Sequence, residues 1–318
     1  MVEMRSEKLN ARNLFSQYRL FMILLLMAAI LSVATKGVFL HKDNIINLFT
    51  QNAMLGIIAI GQFLVILTGG IDLSVGSVMM MTSVFYVRFQ GLGAVACATL
   101  AILLGTAFGV MNALLITKVK INPFITTLAT MAVAEGLGNI FVDGHTIFNI
   151  QPSFLAIGRV KIASVSIYVF FWIAIAVIMA LILRYTSFGI KLYSTGGNAS
   201  VAYLSGIKTN RVISAAYIIS GLLCGVVGVL YTAKLCVGDP TIAGTYNTDS
   251  ITAVVIGGTS MAGGEGKLFN IVLGVLILGM LSNFMNTMGV PSALHVGVKG
   301  CILIATVLFN IYEKKKSK

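Results

Sequence analysis

Residues 45–68 read IINLFTQNAMLGIIAIGQFLVILT, and residues 69–77 continue GGIDLSVGS. The first stretch holds no charged side chain and is long enough to cross a hydrocarbon layer about 30 Å thick as a helix. The second breaks the run with paired glycines and a carboxylate before another apolar stretch begins. Irregular backbone at membrane depth is tolerated only against protein or a water-filled cavity. The two stretches together point to a polytopic helical membrane protein with an interrupted, polar joint between two of its spans.

Similar runs recur on both sides. Ten are legible, at about 20–40, 45–68, 74–89, 93–117, 123–142, 164–183, 211–234, 247–261, 268–287 and 291–311, the third and eighth being short. The breaks carry turn residues: Gly69-Gly70, Gly91, Asn122-Pro123, Gly257-Gly258, Gly263-Gly264 and Pro291. Pro123 and Pro291 suit a first helical turn, where no amide hydrogen is needed. The expected architecture is an all-α transmembrane bundle over residues 1–318. It has an N-terminal segment at 1–19, a long polar stretch at 184–211 and a basic tail at 312–318. The first run follows Arg5, Lys8, Arg12 and Arg19 and continues to about Leu40, so it reads as an uncleaved first helix rather than a signal peptide.

Composition agrees. Of 318 residues 58% are hydrophobic and 10% charged, with a mean hydropathy of +0.96. An ordinary soluble domain has about 25% charged residues. The net charge of +12 is carried at the two ends and in short gaps between apolar runs, which is how a bilayer protein orients itself and not how a protein reads nucleic acid. With the N-terminus in the cytoplasm and alternating spans, fifteen Lys and Arg fall inside and six outside, so both termini are expected to be cytoplasmic. The four cysteines are scattered without a C-x-x-C pair, and the three histidines lack metal-ligand spacing. Gly105 and Gly109, and Gly221, Gly225 and Gly228, form small-residue stripes that let helices approach closely.

Four segments carry more than packing. In Gly69–Ser77, Asp72 and Ser74 either cap the next helix or line a transport pathway beside a broken helix. In Asn122-Pro123-Phe124-Ile125-Thr126-Thr127-Leu128 the hydroxyls either bond their own backbone or, with Thr126 foremost, face that pathway. From Arg184 to Arg211, Gly196-Gly197-Asn198 and Ser205-Gly206-Ile207 flank Ala199–Leu204, expected to be a short helix that offers a knob to a soluble partner. The segment Gly257–Lys267 ends in Gly-Lys, but Met261 and Leu268 break the phosphate-loop pattern, so no ATP site is expected on this chain. Among ionisable residues within spans, Lys299 has Glu135 or Asp249 as its ion-pair partner, and spacing leaves both open.

Taken in order, Val65–Ser77, Pro123–Leu128, Gly196–Asn198 with Leu204–Ile207, and Ala253–Ser260 with Gly263-Gly264 resemble the ribose-type permease family of bacterial ABC sugar importers. The resemblance covers about residues 45–310. It implies a multi-pass permease of the bacterial inner membrane, working as a homodimer or beside a related permease. It implies a separate cytoplasmic ATPase, carrying ATP and Mg, docked at Gly196, Gly197, Asn198, Ser205, Gly206 and Ile207. It also implies a sugar-binding protein outside, and a pathway through this chain to which Asn283 belongs beside Asp72, Ser74 and Thr126. No catalytic residue, metal or cofactor is expected on the chain itself. Phe284 stands where the family usually has Gly, and Pro291–His295, Glu265–Lys267 and Phe269 also depart, which bears on the substrate. An ion-coupled secondary transporter would need a titrating constellation at mid-membrane, for which Glu135 and Lys299 are the material. A channel would not need the patterned loop at 184–211.

Overall fold

The computed structural model describes residues 11–241 and 244–316, and among them the chain is helical apart from one two-stranded hairpin. Residues 1–10 of the expected N-terminal segment 1–19, and residues 317–318 of the tail 312–318, lie outside the described residues. The elements are α1 (Ala11–Ala34), α2 (Lys42–Leu67), α3 (Val75–Arg88), α4 (Ala94–Leu114) running on into a π-helical turn (Leu115–Val119), α5 (Pro123–Phe141), α6 (Pro152–Arg159), β1 (Lys161–Ile162), β2 (Val165–Ser166), α7 (Ile167–Tyr185), α8 (Ser187–Gly197), α9 (Ala199–Leu204), α10 (Thr209–Leu235), α11 (Tyr246–Ile256), α12 (Leu268–Thr287) and α13 (Ser292–Lys316). Single 3-10 turns follow α1 and α3.

Six helices are long and apolar enough to cross a membrane: α2, α4 with its π turn, α5, α7, α10 and α12. Shorter apolar stretches lie in α1, α3 and α13. The protein is therefore an all-α polytopic membrane protein. A helix occupies each of the ten apolar stretches read from the sequence, with corrections at the edges. Residues 164–166 belong to the hairpin, so α7 starts at Ile167, and α11 stops at Ile256 rather than 261. The polar stretch 184–211 is mostly helix, because α8 continues almost directly from α7.

The turns gather at two ends. At one, Gly264 N donates to Leu67 O (3.0 Å) and the Tyr193 hydroxyl to Gly266 O (2.9 Å), joining α2, α8 and the 257–267 turn; this is the α8–α9 end. At the other, Ile147 and Gly238 form a β-bridge and the Gln90 side chain holds Asn149 O and Gln151 N; this is the hairpin end.

Helix α2 is the centre. From Ala53 to Leu67 every residue is buried, as expected of a helix apolar on all sides. Around it stand α10, α12, α7 and α11, while α4, α5 and α7 keep most of their apolar surface on the outside of the bundle. The glycine stripes face each other. A Cβ on Gly105 would stand 2.6 Å from Gly221 O, and one on Gly221 would strike Gly105 O, so the α4 and α10 backbones touch without an intervening side chain. Gly56 makes room in the same way for the Trp172 ring on α7.

Candidate functional site

Two helices are too short to span. At 1.5 Å per residue α3 is about 21 Å long and α11 about 16 Å. They enter from opposite ends, and their N-termini meet inside the bundle: Asn247 Oδ1 on α11 accepts the amide hydrogen of Gly76 on α3 at 2.6 Å. The other arm of Asn247 points to Met131 Sδ on α5 (3.4 Å). Such discontinuous helices put the positive ends of two helix dipoles within the apolar layer. Asn247→Ala leaves a buried amide without an acceptor. It is expected to cost about 1–2 kcal/mol in unfolding of the detergent-solubilised protein. An unchanged unfolding midpoint would remove this cap from the account.

The joint from α2 to α3 is built around Asp72. Helix α2 stops in a Schellman turn: Gly69 has φ +78°, and Gly70 N reaches back to Val65 O (3.2 Å). The chain then runs irregularly inside the protein, held by α10. The Tyr217 hydroxyl donates to Ile71 O (3.1 Å), and the Ser220 hydroxyl donates to Asp72 Oδ2 (3.1 Å). Asp72 Oδ1 accepts from Ser74 N (2.9 Å) and Ser74 Oγ (2.6 Å). The network continues: Asn112 Nδ2 on α4 donates to Ser74 Oγ (3.0 Å), and Asn112 Oδ1 accepts from Thr130 Oγ1 on α5 (2.7 Å). Asp72 and Ser74 are both buried. The capping expectation is corrected in detail: Ser74 makes no side-chain cap to α3, and Asp72 holds the amide of Ser74 itself, while the amide of Gly76, the second residue of the helix, goes to Asn247.

A second polar feature lies nearer the hairpin end. A cavity of about 280 Å³ opens between α2, α10, α11, α12 and α13, lined by Gln51, Asn52, Tyr231, Tyr246, Asn283 and the pair Asp249–Lys299. Lys299 Nζ lies 2.7 Å from Asp249 Oδ2. Asn283 exchanges two hydrogen bonds with Asn44 (2.8 and 3.2 Å), and the Tyr231 and Tyr246 rings meet edge to face at 5.8 Å. Glu135 is not part of this pair; it accepts from Ser77 Oγ (2.9 Å) on α3. Removing one member of the ion pair leaves the other, largely buried, without its counter-charge. In a double-mutant cycle of Asp249→Asn and Lys299→Met, each single change is expected to destabilise, and the double to recover about 1–3 kcal/mol of coupling. Additive losses would mean that the two charges do not act as a pair.

The third feature is the α8–α9 end. Asn198 caps α9 by accepting from Ser200 N and Val201 N (both 3.1 Å). Gly206, at φ +83°, ends it in a second Schellman turn, with Ile207 N bonded to Ala202 O (3.0 Å) and Gly206 N to Tyr203 O (2.9 Å). The short helix thus has a fixed shape, and it turns Val201, Tyr203 and Leu204 outward, Leu204 being 85% exposed. Gly196 and Gly197 differ. A Cβ on Gly196 would strike Leu67 O, whereas one on Gly197 would meet nothing within 4 Å.

The four residues singled out for a pathway do not gather at one point. Asp72 and Ser74 share the buried network, Thr126 on α5 has a buried hydroxyl without a partner among the described residues, and Asn283 lines the cavity with Asp249 and Lys299. Sequence reasoning missed Asn112, Thr130, Tyr217, Ser220 and Asn247, polar residues within or at the edge of apolar runs that become informative only when their partners are in view. It also missed Gln62, fully buried on α2, whose amide finds no partner among the described residues.

Comparison with known proteins agrees with this architecture. A family described as branched-chain amino acid transport system / permease component matches residues 44–307. The chain is 38% identical to the ribose import permease protein RbsC of Bacillus subtilis (strain 168) over 301 residues, covering 93% of this chain and 92% of the relative. It is 31% identical over 299 residues to the D-allose transport system permease protein AlsC of Escherichia coli (strain K12), covering 93% and 92%. It is 32% identical over 274 residues to the L-arabinose transport system permease protein AraH of the same strain, covering 84% and 82%. No solved structure matches the chain. With a helical bundle interrupted at α3 and α11 and a match over most of its length, the chain belongs to the branched-chain amino acid transport system / permease component family of multi-pass membrane proteins.

Proposed function

We propose that this chain is the membrane-spanning permease subunit of an ATP-driven importer for a monosaccharide. The observation that carries the reading is similarity along more than four fifths of the chain to permeases named for ribose, allose and arabinose. In this reading the ten helical stretches lie in the membrane, α3 and α11 each crossing only part of it, with both termini in the cytoplasm, and the α8–α9 end is the cytoplasmic one. The chain works as a homodimer or beside a related permease, and receives sugar from a binding protein outside. ATP and Mg belong to a separate ATPase, which docks on Gly196, Gly197, Asn198, Ser205, Gly206 and Ile207. The outward apolar residues of α9 between two fixed caps support that docking.

For the pathway, the cavity beside Asn283, Asp249 and Lys299 supplies what a sugar needs: planar amides and charges for hydroxyls, and tyrosine rings for its C–H faces. Thr126 offers an uncommitted hydroxyl further along. Asp72 and Ser74, whose bonds are met within the protein, hold the joint rather than touch the sugar.

The test is uptake into vesicles containing this chain, its ATPase and a binding protein. ATP-dependent accumulation, unchanged when the proton gradient is collapsed, is expected. Accumulation by the purified chain alone, driven by an ion gradient, would replace this reading with secondary transport.

A further inference from the structure

At the α8–α9 end, a cavity of about 580 Å³ opens between the π turn that ends α4 and the first turns of α10. Its mouth is ringed by Lys118, Lys120, Lys208 and Arg211, and no carboxylate lines it. Lys120 Nζ donates to Asn210 Oδ1 (3.0 Å), and none of the four cations forms an ion pair among the described residues. The floor carries two hydroxyls, Thr117 and Ser214, whose oxygens lie 3.1 Å apart. The positive end of the dipole of α10, a helix of 27 residues, adds to the potential. The site is therefore shaped and charged for a phosphate.

Its surroundings say which kind. From the floor, half-buried Ile218 leads along α10 to Leu222, one helical turn on, which is 38% exposed. Val226, a further turn along α10, is half-buried on the same side. An apolar strip on the outside of the bundle thus starts at the basic cavity and runs into the apolar layer. A soluble phosphate would use the cavity and leave the strip idle; a phospholipid uses both. Basic pockets between membrane helices at the cytoplasmic face are suited to anionic headgroups.

We propose that this cavity binds the phosphodiester headgroup of an anionic phospholipid, with an acyl chain lying along the strip on α10. The cations hold the phosphate, and the strip fixes the direction of the tail. The inference does not depend on which solute the protein carries.

The test is thermal unfolding of the purified, detergent-solubilised protein titrated with phosphatidylglycerol, phosphatidylcholine or inorganic phosphate. A saturable rise in midpoint with phosphatidylglycerol alone is expected. The apparent affinity should fall about fivefold for each cation removed in the series Lys118→Gln, Lys208→Gln and Arg211→Gln, and stay unchanged in Lys267→Gln, which removes an exposed charge at the same end but outside the cavity. These side chains lie at the surface, so the single variants keep the series readable should the triple variant express poorly. Equal response to both lipids, or a triple variant that responds to phosphatidylglycerol as the unaltered protein does, would overturn the site. The same stabilisation by inorganic phosphate would assign the cavity to a soluble anion and overturn the lipid.

Discussion

Gly197→Trp is expected to insert and fold normally yet to abolish ATP-driven uptake. The position is exposed, and a side chain there projects into open space beside α9. Surface changes of this kind alter stability by no more than about 0.5 kcal/mol. An indole at the edge of the proposed docking face, however, holds an approaching ATPase away from Val201, Tyr203 and Leu204. Gly196→Ala separates the two effects. Its Cβ would strike the Leu67 carbonyl and stand 2.5 Å from Gly264 N, so it forces apart the end of α2, α8 and the 257–267 turn. Overpacking against backbone costs about 1–3 kcal/mol, and lowered yield and unfolding midpoint are expected from this smaller substitution. The readouts are membrane-fraction abundance, thermal unfolding and uptake with the ATPase present. Normal uptake by the Trp variant would remove the docking assignment.

Asp72→Ala should lose about 2–4 kcal/mol, while Asp72→Asn stays near the unaltered protein. Asp72 accepts three hydrogen bonds inside the bundle, two of them from hydroxyls on Ser74 and Ser220. Alanine strands Ser74 N and both hydroxyls without an acceptor, at about 1–3 kcal/mol for each buried group not re-satisfied by its neighbours. An asparagine oxygen still accepts from Ser74, and its NH2 donates to Ser220 once that hydroxyl rotates. Unfolding in detergent and uptake are measured together. A stable Asp72→Asn protein that no longer transports would show that the charge, not the bonding pattern, is used, and would move Asp72 from the joint to the solute's route.

The helices were legible because hydrocarbon leaves few solutions: long apolar runs without charges must be helical, and their breaks carry glycine and proline. The short α9 was legible for a different reason. Both its caps are local, Asn198 at one side and Gly206 at the other, so the signal lies within a few residues. The facing glycines of α4 and α10 were visible as stripes, though not as partners. What stayed hidden is long-range. Asn247 meets Gly76 across 171 positions, and Ser220 meets Asp72 across 148, and nothing local distinguishes an asparagine that caps a distant helix from one that does not. The same holds for Asp249 over Glu135 as the partner of Lys299, which spacing left undecided and α11–α13 packing decides. The π turn at Leu115–Val119 and the eight-residue α6 lack any periodic signature long enough to read.

The direct backbone contact between α4 and α10 has a mechanical meaning. Where side chains interdigitate, one helix slips against another by changing rotamers. Where glycine meets glycine that route is absent, and the pair is expected to move as one unit about 40 Å long. One tip of that unit adjoins the α9 knob; its middle, at Tyr217 and Ser220, grips the Ile71–Asp72 bend. A push delivered at the tip is therefore expected to reach the bend through backbone contact, as through a piston rod rather than a spring.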